Sequence, residues 1–119
     1  FCSRKCNFAY QVYNGYKIKT KPELMMELIL KQYYPNTIYN YELNGKFYDF
    51  YILEKNLLIE VDGVYWHGKG LKENELDKIQ KCVRINDKYK NKLAKECGYN
   101  LLRVWEDEIK DNYVSKYIL

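Results

Sequence analysis

Two hydrophobic periods alternate along the chain, and the points where one gives way to the other mark its elements. Leu24, Met25, Leu28 and Ile29 recur at helical spacing behind Thr20-Lys21-Pro22-Glu23. Thr20 can cap a helix over residues 21–32, Glu23 three residues on completes a capping box, and Pro35-Asn36 ends the helix. Ile38 to Leu43 and Phe47 to Leu53 are β-branched or aromatic runs separated by Asn44-Gly45, the dipeptide that best tolerates the positive φ of a tight turn, and they predict a hairpin. Glu54-Lys55-Asn56 then turns into Leu57-Leu58-Ile59-Glu60-Val61, a nearly continuous apolar run that suits a central strand covered on both faces and stops at Asp62-Gly63.

The polar, Gly-rich stretch 63–74 reads as an irregular loop. Leu76, Ile79, Val83, Leu93 and Cys97 return to helical intervals up to Gly98, as one long or two shorter helices. Leu101 to Trp105 is a short strand, and the crossover through a helix makes it a parallel neighbour of strand 57–61. Residues 107–118 read as a closing helix. The predicted fold class is α/β, a mixed β-sheet of an antiparallel hairpin plus parallel strands, flanked by helices.

The 119 residues are 47% hydrophobic and 30% charged, which suits one globular domain and excludes a collagen-like, low-complexity or transmembrane chain. Cysteines at 2, 6, 82 and 97 do not form the even scaffold of a small secreted domain, and no secretory leader pattern is present, so a cytoplasmic setting is expected. Cys82 and Cys97 read as inert packing residues. Cys2 and Cys6 have the spacing of half a zinc site; with Phe1 at the start, they read as the remnant of a zinc ribbon in a basic arm over residues 1–19, with no zinc expected.

Net charge is +4, but the spread says more than the sum. Residues 1–22 carry five bases and no acid, residues 23–68 three bases and seven acids, and residues 69–98 nine bases and five acids. An acidic centre between basic flanks is the layout of a metal-dependent enzyme acting on a polyanion, or simply of solvated faces of opposite sign. Asp49 and Glu60 each interrupt an apolar strand run, where a charge is costly unless it is exposed or coordinated. Two carboxylates and a backbone carbonyl are enough to hold magnesium against a phosphate. His67, the single histidine, sits in Asp62-Gly63-Val64-Tyr65-Trp66-His67-Gly68 at a strand's carboxyl end, where it can move a proton but cannot belong to a conventional zinc site.

The series Glu23, Asp49, Glu60-Val61-Asp62-Gly63, Trp66-His67-Gly68, Asp87 and Val104-Trp105-Glu106 resembles the very-short-patch mismatch-repair endonucleases and related phage-type homing endonucleases. They are a branch of the PD-(D/E)XK nuclease superfamily with the polar order E-D-x-H-D, and the resemblance covers about residues 20–110. It implies a restriction-endonuclease-like core over residues 20–119 and a magnesium- or manganese-dependent endonuclease acting on double-stranded DNA, attached to an upstream recognition segment. Asp49 and the Val61 carbonyl would ligate the metal, joined by Glu60 as in other branches of the superfamily. His67 would transfer the proton, with Glu23 and Asp87 as accessory acids. Asp62 stands where the superfamily usually has lysine, and Glu27, one turn beyond Glu23, can take its place. Tyr65 and Trp66 would approach the bases, and Lys69 with the other bases of 69–95 the phosphates. The competing reading is a non-catalytic nucleic-acid-binding module on a nuclease-like fold.

Overall fold

A computed structural model describes residues 19–110 and 113–118. The expected arm, with Cys2 and Cys6, lies outside the described residues but for Lys19. Helix α1 spans Lys21–Tyr33, and both halves of its capping box form: the Glu23 amide donates to Thr20 Oγ1, and the Thr20 amide to Glu23 Oε1. The helix buries Met26, Ile29 and Leu30 and leaves Leu24, Met25 and Leu28 exposed. Apolar residues fill six of the seven positions 24–30, so two stripes compete; the one at i, i+3, i+4 from Met26 faces the sheet.

Strands β1 (Ile38–Leu43), β2 (Lys46–Ile52), β3 (Leu57–Asp62) and β4 (Asn100–Trp105) form one sheet in the order β1-β2-β3-β4. The first three run antiparallel and β4 lies parallel to β3, as expected. Asn44 and Gly45 turn the hairpin with φ of 48° and 81°, the two positive values that match the turn to the strand twist. The β1–β2 register skips Asn40 and Asp49 between the pairs Tyr39↔Phe50 and Tyr41↔Tyr48. At that point the strands exchange faces: Phe50 and Tyr39 belong to the core under α1, Tyr48 and Tyr41 to the core under the next helix.

Helix α2 is a single element, Lys78–Glu96, opened by Asp77 in a reciprocal capping box with Gln80. It covers Tyr48, Tyr51 and Leu58 through Ala94, while α1 covers Phe50, Ile52, Ile59, Val61 and Val104 on the other face. Cys97 caps α2 exposed and free, and Cys82 is buried and disulfide-bonded, so neither is the inert packing thiol expected from sequence. The closing helix expected over 107–118 is shorter: a 3₁₀ turn at Glu106–Glu108, then α3 over Tyr113–Tyr117. Glu106 accepts from the Val64 amide and Asp107 from Lys69, and these bonds to the preceding loop compete with helix formation. Among the described residues no helix is long and apolar enough to cross a membrane.

Gly45 meets no atom within 4 Å at the position of an added Cβ, so a substitution there acts through φ alone. Gly45→Ala should cost about 1 kcal/mol in urea unfolding with the m-value unchanged.

Candidate functional site

β2 and β3 stop pairing where the carboxylates begin. Phe50↔Ile59 is the last matched pair in that direction, and beyond it Asp49 and Glu60 bond crosswise through their side chains. The Asp49 amide donates to Glu60 Oε1 at 2.9 Å, and the Val61 amide donates to Asp49 Oδ2 at 2.7 Å. Carboxylate oxygens thus take the place of ladder carbonyls; two amides are satisfied, and the strands part because a side chain needs more room than a carbonyl. A strand residue's N–H and C=O leave by the same edge, so the Val61 carbonyl faces the Asp49 side as its amide does.

Asp49 keeps part of its surface exposed yet is densely surrounded. Burial first, then Glu60 and Glu23, push its carboxyl well above the usual carboxylate range, against the pull of Lys90. Glu23 does two things at once: it closes the capping box of α1 and its carboxyl adds to the negative charge that raises Asp49. Glu27 is instead paired with Lys19, at 2.7 and 2.9 Å. Of the two helix carboxylates, Glu23 is therefore the one that meets Asp49. Glu60 has both oxygens engaged, Oε1 by the Asp49 amide and Oε2 by Lys90 Nζ at 2.5 Å.

A second group adjoins the first through Val61-Asp62. His67, 4% exposed, donates from Nδ1 to Asp87 Oδ2 at 2.5 Å and places Nε2 3.6 Å from Asp62 Oδ1, so two carboxylates flank the imidazole. Arg103 Nη1 donates to the same Asp62 oxygen at 2.9 Å and lies 3.4 Å from Asp87 Oδ1 and 3.9 Å from Glu60 Oε2, bridging the two groups. Asp87 Oδ1 accepts no hydrogen bond, although it is buried; Arg103 meets it as a charge only. Burial pushes the Asp62 carboxyl up to about 6, against the pull of His67 and Arg103.

The loop carrying His67 is gripped from α2. Arg84 donates to the carbonyls of His67, Gly68 and Leu71 at 3.2, 2.6 and 3.0 Å, and Gln80 Nε2 donates to the Tyr65 carbonyl at 2.7 Å. Gly68 has φ of 63°, and a Cβ there would stand 2.5 Å from Leu76 Cδ2, so the turn after His67 has room only for glycine. Tyr65 is 57% exposed, bonded through its hydroxyl to Asp77 and edge-on to half-buried Trp66. Lys69 is committed to Asp107 at 2.8 Å.

The expected site residues thus fall into one group of Glu23, Asp49, Glu60 and Val61 and one of Asp62, His67 and Asp87, with Glu27 and Lys69 paired elsewhere. Lys90, Arg103 and Arg84, which bond into these groups and their loop, were not among the expected site residues. Lys90 carries a signal in hindsight, since it lies on the helical stripe of Val83, Asn86 and Ala94, all buried.

The mixed four-stranded sheet flanked by helices is an α/β fold that resembles a nuclease-like superfamily. The chain is similar to the solved structure of the homing endonuclease I-Bth0305I catalytic domain, over 85% of this chain and 100% of that one, at 26% identity and a TM-score of 0.54. That likeness makes it a distant structural relative of a homing-endonuclease domain of the broad PD-(D/E)XK-like class. No protein-family model and no curated protein matches the chain. Among the described residues no group of three or more His, Cys, Asp or Glu side chains is placed to hold a metal ion by itself. The oxygen-only pair of the Asp49 carboxylate and the Val61 carbonyl nevertheless fits a hard cation that keeps several waters, and the charge crowded around Asp49 is what such a cation relieves.

Asp62 binds its proton more tightly in the folded chain than in the unfolded one. Its contribution to folding is fully present below about pH 4 and is lost as pH rises through about 6. In urea titrations of metal-free protein, Asp62→Asn should therefore gain on the parent by on the order of 3 kcal/mol between pH 4 and pH 7. A parent-to-variant difference that stays flat over that range would exclude Asp62 as the titrating group.

Proposed function

We propose that this domain is a magnesium- or manganese-dependent endonuclease that hydrolyses phosphodiester bonds in double-stranded DNA. The observation that carries this reading is the Asp49 carboxylate standing in the gap between β2 and β3, with a second acidic group adjoining through Val61-Asp62 in which Asp87 holds the His67 imidazole by Nδ1. The Asp49 carboxylate and the Val61 carbonyl would hold the metal, which when bound supplies charge stabilisation for the phosphoryl oxygens and lowers the pKa of water. Glu23 orients Asp49 from α1. With Nδ1–H fixed on Asp87, Nε2 of His67 is the ring atom that takes or gives the proton during attack on phosphorus, and Asp62 and Asp87 stabilise the imidazolium that forms.

The exposed lysines of α2, Lys81, Lys88, Lys92 and Lys95, lie on one helical stripe and can track a phosphate backbone, joined by the basic arm of residues 1–19. The exposed edge of Tyr65 beside Trp66 supplies a surface on which bases can stack, one and two residues before His67. Sequence recognition would then belong to a segment outside this domain, and the shared chemistry fits repair, homing or restriction of intracellular DNA alike.

Cleavage of supercoiled plasmid with and without magnesium tests the reading. Asp49→Asn should abolish cleavage while the protein stays folded, because a buried carboxyl that is hard to ionise is replaced by a neutral isostere. His67→Ala should slow cleavage by about two to four orders of magnitude, the usual worth of a positioned acid or base, with Mn2+ binding retained. A parent protein that binds duplex DNA with a steep salt dependence but never cuts it returns the domain to the nucleic-acid-binding module.

A further inference from the structure

Lys90 is the most deeply buried charge among the described residues, 1% exposed in the middle of α2. Its ammonium sits 2.5 Å from Glu60 Oε2 and 4.7 Å from the centroid of the Tyr48 ring, whose hydroxyl donates to the Lys90 carbonyl at 2.8 Å. Glu60 is 3% exposed, so the pair is closed to water on both sides. A lysine is not placed there by helix packing, since any apolar residue would fill the stripe at lower desolvation cost. Its partner is one of the acids around Asp49, and the two Glu60 oxygens are divided between Lys90 and the Asp49 amide.

We propose that Lys90 is the positioning residue of the site: it neutralises Glu60, holds it as the acceptor of the Asp49 amide rather than as a metal ligand, and so limits the domain to one divalent cation. The assignment rests on the function proposed above and deepens it. With Glu60 locked, the ligand set reduces to the Asp49 carboxylate and the Val61 carbonyl, a number that suits a cation retaining most of its waters. Without Lys90, a buried carboxylate would stand next to Asp49 with only Arg103, 3.9 Å away and shared with Asp62 and Asp87, as counter-charge, and two carboxylates opening on one gap are what a second or tighter cation needs.

The test is Mn2+ binding to the full chain without DNA at pH 7, by calorimetry, together with thermal melts with and without Mn2+. The parent should bind one Mn2+. Lys90→Met should melt lower without metal, bind Mn2+ about tenfold more tightly and recover more of its melting temperature on Mn2+ addition than the parent does, because Glu60 is released to the cation. Should Lys90→Met fail to fold, the double variant Lys90→Met/Glu60→Gln removes both charges and keeps the acceptor for the Asp49 amide; it should fold and bind one Mn2+ within about threefold of the parent. Two Mn2+ per parent chain, or a folded double variant that has lost the site, overturns the assignment and makes Glu60 a ligand. A parent with no Mn2+ site at all overturns the endonuclease reading first, and this assignment with it.

Discussion

The crosswise bonds between Asp49 and Glu60 are the point on which the architecture turns. A β-ladder needs an acceptor for every amide, and at this step of the sheet the acceptors are carboxylates. Because Asp49 also drops out of the β1–β2 register opposite Asn40, whose φ is 58°, the hairpin changes faces there. The alternation along β2 therefore shifts by one residue: Tyr48 and Tyr51 face the core under α2, Phe50 and Ile52 the core under α1. The same step that brings Asp49 and Glu60 together thus also sets which hairpin residues meet each helix.

Crowding acids at one place has to be offset locally, and the domain does it with internal cations rather than solvent. Lys90 answers Glu60 from α2, Arg103 answers Asp62 and Asp87 from β4, and the capping box of α1 orders Glu23 before it reaches Asp49. Burial outweighs this compensation, and the carboxyls of Asp49 and Asp62 stay raised. A site left short of positive charge is destabilised when empty and suited to a divalent cation bridging toward phosphate, so the residual strain has the sign that the proposed chemistry uses.

Local signals made most of this legible in the sequence. Asn44-Gly45 fixed the hairpin because few other dipeptides accept two positive φ values, and the charges inside the β2 and β3 runs marked Asp49 and Glu60 because no apolar strand carries such residues idly. The order of Glu23, Asp49, His67 and Asp87 was enough to suggest a class of nuclease, and the fold agrees with it at the level of a distant relative. What sequence could not separate were alternatives sharing one helical stripe: Glu23 and Glu27 differ by a single turn, and only the position of Lys19 assigns Glu27 elsewhere. The closing helix was misjudged for a related reason, since Glu106 and Asp107 have good local propensity but are claimed by Val64 and Lys69, some 40 residues earlier in the chain. Lys90 and Arg103 were not assigned to the site because surface and interior lysines or arginines look alike until a partner is placed beside them.

The grip of Arg84 and Gln80 on the His67 loop falls on carbonyl oxygens only, those of Tyr65, His67, Gly68 and Leu71. A helix that holds a loop by its main chain is indifferent to most of the side chains the loop displays. Exchanging Tyr65 or Lys69 gives up the bonds to Asp77 and Asp107 but leaves these carbonyl contacts in place around the imidazole that Asp87 meets. On the endonuclease reading proposed above, such a loop separates the part that would touch a substrate from the part that would transform it, so that preference for the flanking chemistry can drift or be redesigned without rebuilding the centre.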